Sequence, residues 1–217
     1  MYLKKTESRI NNTFLWKTGL FMTIAILVLS SCISAKPKVQ IAIQPLGNVR
    51  SQILTVIKLG IEKVYDAKVV LLHKRNLPKA AYYKPRWRYR ADILLDKLEA
   101  WTDKKYTKVV GITEVDISAT KGNIYDWGIF GLGQINGRPC VISTFRLKRG
   151  MKNTKHFYNR LVKVVNHEIG HTFGLWHCPV KGCLMQDARG TIRTVDSESG
   201  DFCKACKIKL KDILKQN

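Results

Sequence analysis

Residues 164–185, VVNHEIGHTFGLWHCPVKGCLM, restrict what this chain can become more than any other stretch. They continue an apolar-faced helical pattern that begins near Thr154 and should end at Gly174, a residue suited to the left-handed conformation that closes a helix. His167 and His171 are four residues apart, so a helix stacks both imidazoles on one face. That pair suits a single tetrahedral zinc, and Glu168 beside it can reach a reacting water without binding the metal. After the turn at Gly174, His177 can swing back as a third ligand. A fourth position is then left open, which is the condition for a catalytic rather than a structural zinc.

The rest of the chain supplies a scaffold for such a site. At 217 residues, 45% hydrophobic and 25% charged, it reads as one globular domain with an ordinary core. VQIAIQPLG (39–47) and AKVVLLH (67–73) read as strands. NVRSQILTVIKLGIEKVYD (48–66) between them reads as a helix with Asn48 as its N-cap, so the chain opens β-α-β. Residues 74–90, KRNLPKAAYYKPRWRYR, hold seven basic side chains, two prolines and four aromatics. This reads as an irregular exposed insert, either a loop facing an anion or substrate or a solvated loop with its aromatics tucked beneath. ADILLDKLEAWTDKK (91–105) predicts a second helix and YTKVVGITEVDI (106–117) a third strand. Two apolar runs in 127–149 flank Asn136-Gly137, a strong hairpin signal. DFCKACKIKLKDILKQN (201–217) predicts a basic amphipathic helix. The expected class is α+β. Cys140, in a predicted strand, reads as a small buried hydrophobe, and His73 and His156 as surface or loop residues rather than ligands.

The pattern His167-Glu168-x-x-His171-x-x-Gly174-x-x-His177 resembles the metzincin zinc endopeptidases, which carry a downstream methionine turn; Met185 follows His177 by eight residues. Cys178, Cys183, Met185, Cys203 and Cys206 extend the match to H-E-x-x-H-x-x-G-x-x-H-C-x4-C-x-M-x17-C-x-x-C, which is similar to the signature of the archaemetzincin family. The resemblance spans roughly residues 39–217. It implies a metzincin-type zincin fold: a mixed twisted sheet packed on two helices, an active-site helix, and a small C-terminal subdomain with the methionine turn. It also implies two zinc ions per chain. One would be catalytic on His167, His171 and His177. The other would be structural on Cys178, Cys183, Cys203 and Cys206, bracing the loop after the active helix against the C-terminal segment. Met185 would form an apolar floor under the catalytic metal. The four cysteines leave a second possibility open, since exported proteins tend to oxidise their thiols and four cysteines allow three disulfide pairings. No tyrosine follows Tyr158, so the oxyanion-steadying tyrosine of some metzincins is absent.

The amino terminus points to export. Lys4, Lys5, Arg9 and Lys17 precede the apolar run GLFMTIAILVLSSC (19–32), whose core is too short for a transmembrane helix and suits a signal peptide. Leu29-Ser30-Ser31-Cys32 resembles the lipobox of bacterial lipoproteins. That implies removal of residues 1–31, lipidation of Cys32, a tether over 32–38 and a catalytic domain over 39–217. It also implies a membrane-anchored protein of the cell envelope.

The expected activity is hydrolysis of peptide bonds by a zinc-activated water with Glu168 as general base and then acid. The resemblance, rather than the local pattern, further implies that the hairpin strand near residues 127–135 is the cleft edge that pairs with an extended peptide or protein substrate. Two other classes compete. One is a zinc-stabilised envelope binding or scaffold protein without catalysis, against which all four catalytic positions stand intact. The other is a nucleic-acid binder, suggested by Cys-x-x-Cys and a net charge of +22. The export signal opposes it, and an anionic membrane surface accounts for the charge. A monomer with no nucleic-acid partner is expected.

Overall fold

The β-branched runs that read as strands form the centre of a five-stranded sheet. The computed structural model describes residues 39–216. Strand β1 (Gln40–Pro45) leads through helix α1 (Ser51–Tyr65) to β2 (Lys68–Leu71), which lies parallel to β1. After the 74–90 segment, helix α2 (Ala91–Trp101) leads to β5 (Lys108–Thr113), which pairs parallel with the other side of β1. Strand β9 (Pro139–Ser143) pairs parallel with β5, and β8 (Gly131–Gly133) closes the edge antiparallel to β9, giving the order β2-β1-β5-β9-β8.

Side-chain alternation splits the core across this sheet. Ile41, Ile43, Val110, Ile112, Cys140 and Ile142 face α1 and the long helix α3 (Thr154–Thr172). Ala42, Val109 and Val141 face α2, where Leu94 and Leu98 cover them. Helices α1 and α3 approach closely at Gly60, where a Cβ would lie 2.8 Å from Val162 Cγ1. Cys140 is buried, as its strand position predicts.

Two expectations are corrected. The basic insert is not irregular throughout: it contributes β3 (Tyr82–Tyr83) and β4 (Arg88–Arg90) to a second sheet with β6 (Ile117–Lys121) and β7 (Ile124–Ile129). Arg88 can sit in a strand because Asp116 and Asp126 each accept from its guanidinium at 2.8 Å. Arg146 adds two further bonds to Asp116. Asn48 is not the N-cap of α1. Its Oδ1 accepts from Lys74 Nζ at 3.3 Å, and Glu114 instead accepts from the backbone amide of Arg50, the N-cap residue.

The C-terminal segment folds as α4 (Ile192–Ser197) and α5 (Lys204–Gln216). Arg160 of α3, almost fully buried, donates to both carboxyl oxygens of Asp196 at 2.6 and 2.7 Å and so fastens α4 to α3. Among the described residues no helix is long and apolar enough to cross a membrane. The predicted signal peptide, Cys32 and the tether lie outside the described residues.

Candidate active site and metal centres

Helix α3 begins where Asn153 accepts from the His156 amide at 2.9 Å. It ends where Gly174 turns left-handed at φ +89°, as the sequence predicts. The Asn136-Gly137 turn, which joins β8 to β9, docks on this end. The Asn136 amide donates to His171 O at 3.2 Å, and a Cβ on Gly174 would lie 2.1 Å from Asn136 Oδ1. Lys108 reinforces the joint by donating to Thr172 O and Gly137 O at 2.7 and 2.8 Å. One glycine thus ends the helix, redirects the chain and admits the hairpin.

The redirected chain brings His177 back to His167 and His171. One nitrogen from each ring lies within 4.8 Å of the others. Nδ1 of His167 faces Leu184 O and Nδ1 of His171 faces Leu175 O, both at 2.7 Å. A carbonyl can only accept, so both Nδ1 atoms carry the proton and both Nε2 lone pairs are free for a metal. Burial pulls His167 down to about 3 and lowers His171 as well, which keeps both rings neutral. Their Nε2 atoms are 3.0 Å apart, near the roughly 3.3 Å edge of a tetrahedral zinc site. His177 is half exposed, and its Nδ1 lies 3.9 Å from Asp187 Oδ2. The three imidazoles fit zinc. His73 and His156 stand apart from them: His156, in the first turn of α3, bonds Asp196 at 2.8 Å.

Glu168 lies between the histidines and β8. Burial pushes its carboxyl up, opposed by the Gly133 amide, and the positive charge of a zinc ion on the adjacent histidines would draw it back toward the carboxylate form a base needs. The fit is close enough to require glycine, because a Cβ on Gly131 would lie 2.7 Å from Glu168 Cγ. Strand β8 and its flanks, including Trp127, Ile129, Phe130 and Leu132, line one cleft with the three histidines. The 127–135 stretch thus borders the histidines, as the sequence reading expects. Met185 is fully buried below, where a Cβ on Gly170 would meet its sulfur at 2.6 Å.

The four cysteines also converge. Cys178 and Cys203 have sulfurs 3.8 Å apart, as do Cys183 and Cys206, and all four lie within 4.8 Å of one another. Tetrahedral zinc with bonds of about 2.3 Å sets its sulfurs roughly 3.8 Å apart. All four thiols are free. The Cys206 amide helps hold the Cys203 thiol down at about 7, nearer the thiolate form that binds metal. The two clusters share a backbone, since the Cys178 amide donates to Met185 O at 2.8 Å. Sequence reasoning missed the carbonyls of Leu175 and Leu184, and it missed Asp187, Arg189 and Lys121 in the cleft. No local pattern announces these groups.

A family model described as peptidase family M54 matches residues 42–212. An archaemetzincin of Halobacterium salinarum is 33% identical over 175 residues, covering 77% of this chain and 97% of that one. An archaemetzincin of Methanopyrus kandleri is 37% identical over 153 residues, covering 70% and 83%. The crystal structure of an M. kandleri archaemetzincin superposes with a TM-score of 0.72 at 31% identity, covering 84% of this chain and 99% of that one. The archaemetzincin of Archaeoglobus fulgidus, solved complexed with malonate, gives 0.67 at 29% identity, covering 78% and 99%.

Proposed function

Because the chain belongs to peptidase family M54, the archaemetzincins, and is a zinc metallopeptidase, we propose that Glu168 is its general base, with His167, His171 and His177 as ligands of the catalytic zinc. The observation that carries this reading is the convergence of three imidazoles on one point beside a buried carboxyl, in a cleft bordered by a sheet-edge strand. Zinc held there supplies a Lewis acid that acidifies water and polarises a carbonyl. Glu168 takes the proton of the attacking water and passes it to the departing amine. Among the described residues strand β8 has a partner on one side only, so an extended peptide can add to its free edge and lay its scissile bond across the histidines. The Leu175 and Leu184 carbonyls hold two ligand rings in orientation.

The proposal includes a second, structural zinc on Cys178, Cys183, Cys203 and Cys206, giving two per chain. The 3.8 Å sulfur separations support it over disulfides, which need about 2.05 Å. Through Cys178 and Cys183 this site braces the floor at Met185. The leader over residues 1–31 and the lipobox-like Leu29-Ser30-Ser31-Cys32 support export and lipidation at Cys32, and with them an envelope protein held at a bacterial membrane. The test of mechanism compares peptide hydrolysis by zinc-loaded wild type and Glu168→Gln. A loss of about 10²–10⁴-fold with zinc retained is expected, and equal turnover refutes the assignment.

A further inference from the structure

One part of the cleft wall carries two cations for which the hydrolytic step has no use. The Thr191 amide donates to Ala188 O at 2.9 Å and closes a tight turn with Arg189 at φ +48° and Gly190 at φ +75°. Two successive left-handed residues mark a type I′ turn, whose central positions favour Gly, Asn and Asp. Gly190 has a packing reason to be there, since a Cβ would press to 3.2 Å from the Trp127 ring. Arg189 has none. A side chain in this conformation costs about 1–2 kcal/mol, and it sets an exposed arginine among the residues that line the cleft.

Lys121, at the end of β6, lines the cleft on the same wall, with its Nζ 4.8 Å from the Trp127 ring centroid. Glu168 apart, Asp187 is the acid among the residues lining the cleft. It is already engaged: Oδ1 accepts from the Arg189 amide at 2.8 Å, and Oδ2 faces His177. Lys121 and the Arg189-Gly190 turn both pack against the Trp127 ring, which sets the two cations on one side of the cleft. Two cations against one committed carboxylate leave this wall positive, and no hydrogen bond from the Arg189 guanidinium occurs among the described residues. An arginine fork matches a carboxylate with two parallel bonds, while a lysine attracts it as a point charge. The indole of Trp127 offers apolar surface for the methylene stem of such a group.

We propose that Arg189 and Lys121 recognise a carboxylate of the peptide substrate, so that the enzyme selects peptides that present a carboxylate near the scissile bond. The carboxylate could be an Asp or Glu side chain flanking the scissile bond or the free carboxyl terminus. This inference rests on the peptidase reading above.

The test uses the zinc-loaded full chain and matched peptides carrying Glu or Gln on each side of the scissile bond, or a C-terminal acid or amide. At least one acidic member should exceed its neutral twin about tenfold or more in kcat/KM, chiefly through KM, and the pair that does so identifies the source. That ratio should fall below about threefold in Arg189→Gln and in Arg189→Gly, and survive in part in Arg189→Lys. Glycine relieves the left-handed strain, so Arg189→Gly should melt no lower than wild type, which separates lost recognition from lost folding. Equal hydrolysis within every pair by wild type, or an undiminished ratio in both Arg189→Gly and Lys121→Gln, overturns the proposal. If wild type cleaves no peptide, the peptidase reading fails instead. Binding of the Glu and Gln peptides to the zinc-loaded protein then decides the inference: tenfold tighter binding of Glu upholds it and equal binding overturns it.

Discussion

Replacing Gly131 by alanine separates catalytic geometry from stability. A Cβ there would lie 2.7 Å from Glu168 Cγ and 2.9 Å from its Oε1. Carbon contacts are comfortable only from about 3.5 Å, so the Glu168 side chain must move by roughly 0.8 Å. Misplacement of a reacting group on the order of 1 Å can cost about 10²-fold. We therefore expect kcat/KM to fall roughly 10- to 100-fold. The atom displaced is the end of a flexible side chain, so the melting temperature should fall by no more than about 4 °C. Gly133→Ala is the contrasting case. Its Cβ would lie 2.5 Å from the Glu168 backbone oxygen and 3.0 Å from His171 Cβ. Neither can yield without moving α3, and overpacking of this kind costs about 1–3 kcal/mol, or a melting temperature lower by roughly 3–10 °C. Both variants would be assayed for peptide hydrolysis at matched zinc content and by calorimetry. Wild-type activity in Gly131→Ala would refute the placement of Glu168 against β8, and a Gly133→Ala protein as stable as Gly131→Ala would refute the packing argument.

The cysteine site and the acid response can be tested separately. Cys206→Ala should lower the zinc content from two ions per chain to one and reduce thermal stability. Retention of both ions after dialysis would contradict the four-thiolate assignment. Glu114 is held down at about 2 because hydrogen bonds from Lys148 and Arg50 outweigh its burial, and Asp196 is held at about 2 chiefly by Arg160. Both carboxyls lie below their unfolded values, so their contribution is complete above about pH 4.5 and is lost as pH falls toward 2. After allowance for solvent screening we expect roughly 2–4 kcal/mol to disappear over that window. A Glu114→Gln, Asp196→Asn double variant should show a flatter dependence of its urea midpoint on pH, and an unchanged slope would count against the two ion pairs.

What the sequence made legible is local or strictly spaced. The helical period places His167 and His171 on one face, Gly174 marks the break, and Asn136-Gly137 marks the hairpin; each signal lies within a few residues of its consequence. The second sheet was hidden because Arg88 and Arg90 look like loop residues until Asp116, Asp126 and Thr120 meet them from 28 or more positions away. The same holds for the start of α1, where Glu114 bonds the amide of the N-cap residue Arg50 and neighbouring Asn48 takes no part. The ligand-orienting carbonyls of Leu175 and Leu184 were unreadable for another reason: every residue has a carbonyl, and only the fold selects which one meets an imidazole. Arg189 was invisible because its meaning lies in a left-handed backbone that no residue pattern announces.

The two proposed metal sites interleave within residues 167–206. The most direct test is crystallography of the zinc-loaded protein at the zinc absorption edge. Two anomalous peaks are predicted, one among His167, His171 and His177 beside Glu168, and one among Cys178, Cys183, Cys203 and Cys206. A map with no peak between the three imidazoles, or with the four sulfurs joined in disulfides, would contradict this prediction.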